Sequence, residues 1–199
     1  MPQGFDLGNI ERKMKPIKIN FLAKMLLSRS NRRLFKTKAF SLTQRLKESR
    51  KILICMPANM NSLTITKDLL STLAEIFKGK AISVFLPILK TEGYLPSPAG
   101  YNVIYPHKED LKIFSIPKKS LIQRLSEHQF DISLDLDLED SFFNSYLCLK
   151  CKIPLRLGAR GKRSFPFYNV QLAIYKDKPS LSETYQGLVN VLRNLVNES

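Results

Sequence analysis

From Lys51 onward the chain alternates short apolar runs with stretches of helical period, and this alternation constrains the fold more than any other feature. Lys51–Met56, Ala81–Leu86, Tyr101–Tyr105, Phe130–Leu136, Leu155–Gly158 and Gln171–Tyr175 read as strands. Short runs rich in Ile, Leu and Val, bounded by turn residues, suit strands buried on both faces. Between them the spacing predicts helices over 63–77, 117–128, 141–151 and 181–196. Leu63, Leu69, Leu70, Leu73, Ile76 and Phe77 share one face of the first, and Gly79 closes it. Pro117 suits the first turn of the second, and Ser180 with Glu183 forms a capping box for the last. Strands alternating with helices predict an α/β domain on a doubly wound, mainly parallel sheet.

Charge divides the chain in two. The formal net charge is +15, and residues 1–50 hold thirteen Lys or Arg against Asp6, Glu11 and Glu48, an excess of ten. Residues 1–50 therefore read as a basic arm and 51–199 as the α/β domain. Within the arm, 1–16 is polar with Gly4, Gly8 and Pro16 and reads as loose. Ile17, Phe21, Leu22, Met25 and Leu26, then Leu34, Phe35, Leu42 and Leu46, follow helical spacing, so 17–47 is expected to form two amphipathic helices or one kinked helix. Lys18, Lys24, Arg29, Arg32 and Arg33 make it basic. Three uses of such an arm are open: lying on an anionic membrane surface, neutralising nucleic-acid phosphates, or folding back to cover an exposed apolar edge of the domain. The leading expectation is docking to an anionic surface or a partner protein. The apolar stripe argues against nucleic acid as sole partner.

The 44% apolar content is enough for a buried core. No run approaches the roughly 18 apolar residues of a transmembrane segment. Asp6 precedes every base and no apolar run opens the chain, which is unlike a cleaved secretion signal. Three cysteines, with Cys55 inside a predicted buried strand, make no disulfide framework. The compartment expected is a reducing, cytoplasmic one, membrane-peripheral if the arm binds lipid.

In an open parallel sheet the ligand-bearing loops follow the carboxyl ends of the strands. The first such loop, Pro57–Ser62, has no glycine, so it lacks the close backbone approach of a dinucleotide fingerprint. Asn59, Asn61 and Ser62 offer hydrogen bonds at a helix start, with Asn61 or Ser62 as a plain N-cap the simpler role. Asp135 and Asp137 share one face of a strand end and are candidates for ligand binding, an arrangement that suits a divalent cation. No His or further carboxylate completes a metal shell, so neither a metal nor a cofactor is expected. Cys148 and Cys151 form a lone C-x-x-C late in a helix, with Cys55 a strand away, and read as core cysteines. His107 and His128 have no neighbouring nucleophile or carboxylate pattern. Arg156, Arg160, Lys162 and Arg163 precede Phe165–Tyr168 and form either a phosphate-gripping patch or a solvated loop.

Four stretches resemble the N-terminal domain of glycosyltransferase family 9, the heptosyltransferases of lipopolysaccharide core. Lys51–Met56 with Met60 resembles the family's opening strand and loop, and Phe130–Asp135 its Tyr-Asp-(apolar)-Ile-Asp strand. Leu149–Gly158 resembles the helix end and strand leading to Arg-(apolar)-Gly, and Phe167–Asn169 with the helix 182–195 the end of that domain. The resemblance implies a Rossmann-like fold, the acceptor-binding half of a two-domain architecture. It also implies a Gly-Asp pair in the first loop, its Asp the candidate base on the acceptor hydroxyl. Here Asn61 and Ser62 stand in its place, and Asp137-Leu138 replaces the usual Gln-Gly. The family's donor-binding domain would begin where the chain stops, at Ser199. The expectation is therefore a binding or scaffold protein without a catalytic residue. The alternatives are an acceptor-binding half completed by a partner subunit in cell-envelope glycan synthesis, and a nucleic-acid-associated basic protein.

Overall fold

The structure is a computed structural model describing residues 15–16, 40–89, 100–111, 116–139, 142–159, 167–174 and 179–197. Strands are β1 (Lys15–Pro16), β2 (Lys51–Cys55), β3 (Ala81–Phe85), β4 (Ile88–Leu89), β5 (Tyr101–Ile104), β6 (Ile132–Asp135), β7 (Leu155–Ala159) and β8 (Val170–Leu172). Helices are α1 (Leu42–Glu48), α2 (Met60–Asp68), α3 (Leu70–Ile76), α4 (Lys119–Glu127), α5 (Phe142–Lys150) and α6 (Leu181–Asn197).

Six strands make one sheet in the order β5-β3-β2-β6-β7-β8, and every pairing in it is parallel. The chain starts at the centre, runs outward through β3 and β5, then returns to lay β6 beside β2 and runs outward the other way. The order reverses between β2 and β6, which is where such sheets open a crevice at their carboxyl ends. The period-two alternation of β2 explains why both faces must be covered. Ile52, Ile54 and Met56 point into one core with Leu63, Leu73, Tyr185, Leu188 and Leu192. Leu53 and Cys55 point into the other with Leu121, Phe143 and Leu147. Helices α1, α2, α3 and α6 cover the first face, and α4 with α5 the second.

The expected helix over 63–77 is two helices. It begins earlier because Asn59, not Asn61 or Ser62, is the N-cap: its Oδ1 accepts from Asn61 N at 2.8 Å and Ser62 N at 3.3 Å. It breaks at Leu69, whose N–H bonds Thr66 O at 3.2 Å. Thr66 Oγ1 donates back to Ser62 O at 2.8 Å and Leu63 O at 3.1 Å, a competition with the backbone that bends helices. Pro117 is not in a helical turn either; it bridges Leu111, and Lys118 is the N-cap residue of α4.

Residues 15–16 are not loose: β1 pairs antiparallel with β4, Lys15 opposite Leu89 and Pro16 opposite Ile88. Of the helical arm expected over 17–47, as two helices or one kinked helix, the described part is α1, capped by Ser41 and burying Leu46. Lys80 Nζ donates to Leu46 O and Ser49 O at 2.7 Å and to Ser49 Oγ at 2.9 Å. That cation at the end of α1 satisfies carbonyls the helix leaves open and fastens it to the start of β3. Lys18, Lys24, Arg29, Arg32, Arg33, Arg160, Lys162 and Arg163 lie outside the described residues.

A candidate site at the carboxyl ends of the central strands

Strand β6 ends on Asp135, in register with Cys55 of β2 and Gly158 of β7. Its carboxylate is 2% exposed and meets donors from three directions. The Tyr168 hydroxyl donates to Oδ2 at 2.5 Å, while Asp137 N and Asn144 Nδ2 each donate to Oδ1 at 3.0 Å. Asn144, fully buried in the first turns of α5, also donates to Met56 O at 2.9 Å, bridging the ends of β2 and β6. Burial lifts the Asp135 carboxyl to about 7, helped by the neighbouring Asp137 charge and opposed by the bonds from Tyr168, Asp137 N and Asn144.

Asp137 is half-buried, and its charge helps to raise the Asp135 carboxyl. Its Oδ1 accepts from Glu139 N at 2.9 Å and its Oδ2 faces Ala58 N at 3.4 Å. The shared strand-end face expected from the sequence is therefore a strand residue and a loop residue with separate partners.

Opposite them, the loop Met56–Ala58 is buried and Asn59 is occupied as the cap of α2. Asn61 faces solvent, but Ser62 is completely buried, with no hydrogen-bond partner of good geometry for its hydroxyl. Beside it, Tyr185 of α6 donates to Leu136 O at 2.9 Å. Burial pushes the Tyr185 phenol well above its ordinary value, and the adjacent Ser62 hydroxyl opposes the shift. Ser62 thus belongs to the core rather than to an open surface.

Asn144, Tyr168 and Tyr185 are what sequence reasoning missed. Asn144 carries a legible signal, a lone amide amid Phe142-Phe143 and Tyr146-Leu147, where an amide needs a buried partner. Tyr168 and Tyr185 carry none, since their partners lie 33 and 49 residues away.

Two other sequence readings change. Cys55 is not a strand away from the C-x-x-C pair: its sulfur lies 3.6 Å from that of Cys148, and both thiols are buried. Parallel strands and a crossing helix bring together residues that spacing keeps apart. Burial also pushes the half-buried Cys151 thiol up to about 12, which makes it a poor nucleophile. Arg156 is no part of a solvated loop. It is 6% exposed and donates to Phe167 O at 2.9 Å and Ile153 O at 2.6 Å. His107 N bonds the Asp110 carboxylate at 2.8 Å, and His128 stacks on Phe130 at 5.3 Å. A cavity of about 280 Å³ lies at the amino ends of β6 and β7, lined in part by Phe130, Asp131, Cys151 and Ile153, on the far side from the crevice.

No family model matches the chain, and no curated protein matches it. Among solved structures it is similar to the ADP-heptose lipopolysaccharide heptosyltransferase II of E. coli, with a TM-score of 0.50 and 23% identity. The match covers 70% of this chain and 40% of that protein, so the chain spans well under half of its neighbour's length. At that identity the likeness is one of fold. The chain has a glycosyltransferase-family-9-like fold, with a six-stranded parallel sheet of Rossmann-like build.

Proposed function

We propose that this chain is a non-catalytic glycosyltransferase-like domain that works by binding, with its basic arm docking it to an anionic membrane surface or a partner protein. The observation that carries the reading is the state of Asp135. A general base needs an oxygen within hydrogen-bond reach of the proton it takes. Both oxygens of Asp135 accept from the domain's own groups, and the carboxylate is sealed from solvent. The place of the family's base is a buried serine, which cannot hold a proton as a carboxylate does. The excess of ten positive charges in residues 1–50 supports the docking half of the reading.

Nucleotide-sugar turnover tests it. Purified full-length protein offered ADP- and UDP-activated sugars is expected to release no nucleotide above the protein-free rate. Release that Asp137→Asn abolishes contradicts the proposal. Co-sedimentation with phosphatidylglycerol vesicles, lost at high salt, is the outcome expected of the arm. Binding to neutral vesicles alone contradicts it.

A second reading rests on the length of the match. A domain corresponding to 40% of a heptosyltransferase would act as the acceptor-binding half of an enzyme completed by another subunit. A co-purifying second chain of similar build that confers turnover would favour it.

A further inference from the structure

We propose that Asp135 and Tyr168 form a proton-linked latch, which holds the segment Phe167–Leu172 against the sheet while Asp135 carries its proton and loosens when that proton leaves. Besides the pairing of β8 with β7 and the Arg156 Nε bond to Phe167 O at 2.9 Å, the segment is fastened at three points. The Tyr168 hydroxyl bonds Asp135 on β6, and its ring packs over Gly158 on β7. Phe167 meets Phe142 of α5 edge-on, with ring centroids 5.2 Å apart. Asn169 clamps the start of β7, its Oδ1 accepting from Arg156 N at 2.7 Å and its Nδ2 donating to Pro154 O at 2.6 Å. Of these fastenings, only the Asp135 contact includes a group that titrates near neutral pH.

Every group bonded to Asp135 is a neutral donor, and the titratable groups around it are acids. Asp137 lies on the following loop, Cys55 on β2, Tyr168 ahead of β8, and Tyr185 on α6. Among the described residues no cation hydrogen-bonds or ion-pairs with Asp135. The ionised carboxylate gains from its three hydrogen bonds, but burial and Asp137 outweigh them, as the rise to about 7 records. The buried charge is relieved when water reaches it, and Tyr168 covers it. Opening that exposes Asp135 returns it to an ordinary carboxylate, so raising the pH favours the open form by linkage. The opening equilibrium then rises about tenfold per pH unit from about pH 4 to about 7, and levels above.

Native-state hydrogen exchange reads this directly. The protection ratio of each Asn169–Leu172 amide is its intrinsic exchange rate over its measured rate, so the intrinsic pH dependence cancels. Leu53 and Ile54, which report unfolding of the central sheet, are expected to stay more protected at every pH. In the full-length protein the ratio is expected to fall about tenfold per unit between pH 5 and 7. Asp135→Asn keeps the Oδ1 acceptor and turns an amide toward the Tyr168 oxygen, so its ratio is expected to be high and flat. A pH-independent ratio in the native protein, or the same decline in Asp135→Asn, overturns the latch. If that variant does not fold, the carbon-13 titration of the Asp135 carboxyl decides: a midpoint near 7 supports the latch, and one near 4 overturns it.

Discussion

The ring of Tyr168 lies so close over Gly158 that a Cβ on the glycine would sit 2.7 Å from ring carbons Cδ1 and Cε1. Here the glycine is needed for space. Gly158→Ala is expected to cost about 1–3 kcal/mol, the usual range for overpacking, and to disturb the hydroxyl contact with Asp135. Urea unfolding measures it, and a loss below about 0.5 kcal/mol would show that Tyr168 moves freely.

Ser62 is fully buried, and its hydroxyl lies beside the Tyr185 phenol without a hydrogen bond of good geometry. Removing such a poorly paired polar atom relieves part of a desolvation cost of about 1–3 kcal/mol. Ser62→Ala is therefore expected to unfold at the same urea concentration as the native protein or a higher one. Ser62→Asp is expected to destabilise strongly because the charge enters the core. A soluble, equally stable Ser62→Asp protein would mean that this position is open to solvent.

Stability should depend on pH through Asp135. Its carboxyl is raised from 3.8 to about 7 in the fold, so the stability it confers is complete below about 4 and is lost as the pH rises to 7. A shift of that size corresponds to at most about 4 kcal/mol. Asp135→Asn should then match the native protein near pH 4 and exceed it by a few kcal/mol at pH 8. Thermal unfolding across that range checks it, and parallel curves for the two proteins would contradict it.

Lys80 ties α1 to the sheet through three bonds to Leu46 and Ser49. Lys80→Met, which keeps the apolar stem, is expected to cost about 1–3 kcal/mol, the scale of hydrogen bonds to a charged group. Leu46→Ala should cost about 2–5 kcal/mol, since Leu46 is 3% exposed within the first core. Proteolysis between Phe40 and Lys51 should accelerate in both variants, and unchanged rates would mean that α1 contributes little to the fold.

What the sequence disclosed was the alternation itself. The central strands of the main sheet are recognisable because burial on both faces demands an apolar run, as at Ile52–Cys55 and Ile132–Leu134. The edge strands Tyr101–Ile104 and Val170–Leu172 are largely half-buried or exposed. Positions set by a single side chain were harder to read. Thr66 breaks a helix through its own hydroxyl, and Asn59 takes the cap from two equally eligible neighbours. The two-residue pairing of Lys15–Pro16 with Ile88–Leu89 is too short for any pattern to announce. At the site, Asp135 and Ser62 were legible as polar residues at a strand end and a helix start. Their burial was not, because it depends on Tyr168 and Tyr185, which only the folded sheet brings near.

The claim at the centre of the account is that, among the described residues, the polar groups at the carboxyl ends of β2 and β6 are engaged by the domain's own hydrogen bonds. The backbone N–H groups of Ala58, Asn61, Ser62 and Asp137 are engaged by Asp137, Asn59 and Asp135. The direct measurement is amide NMR of the full-length protein during titration with ADP-activated and UDP-activated sugars. The expected result is that these four amide signals stay in place to millimolar ligand. Saturable shifts at them, absent in Asp137→Asn, would mean that the crevice opens to a donor and would contradict the account.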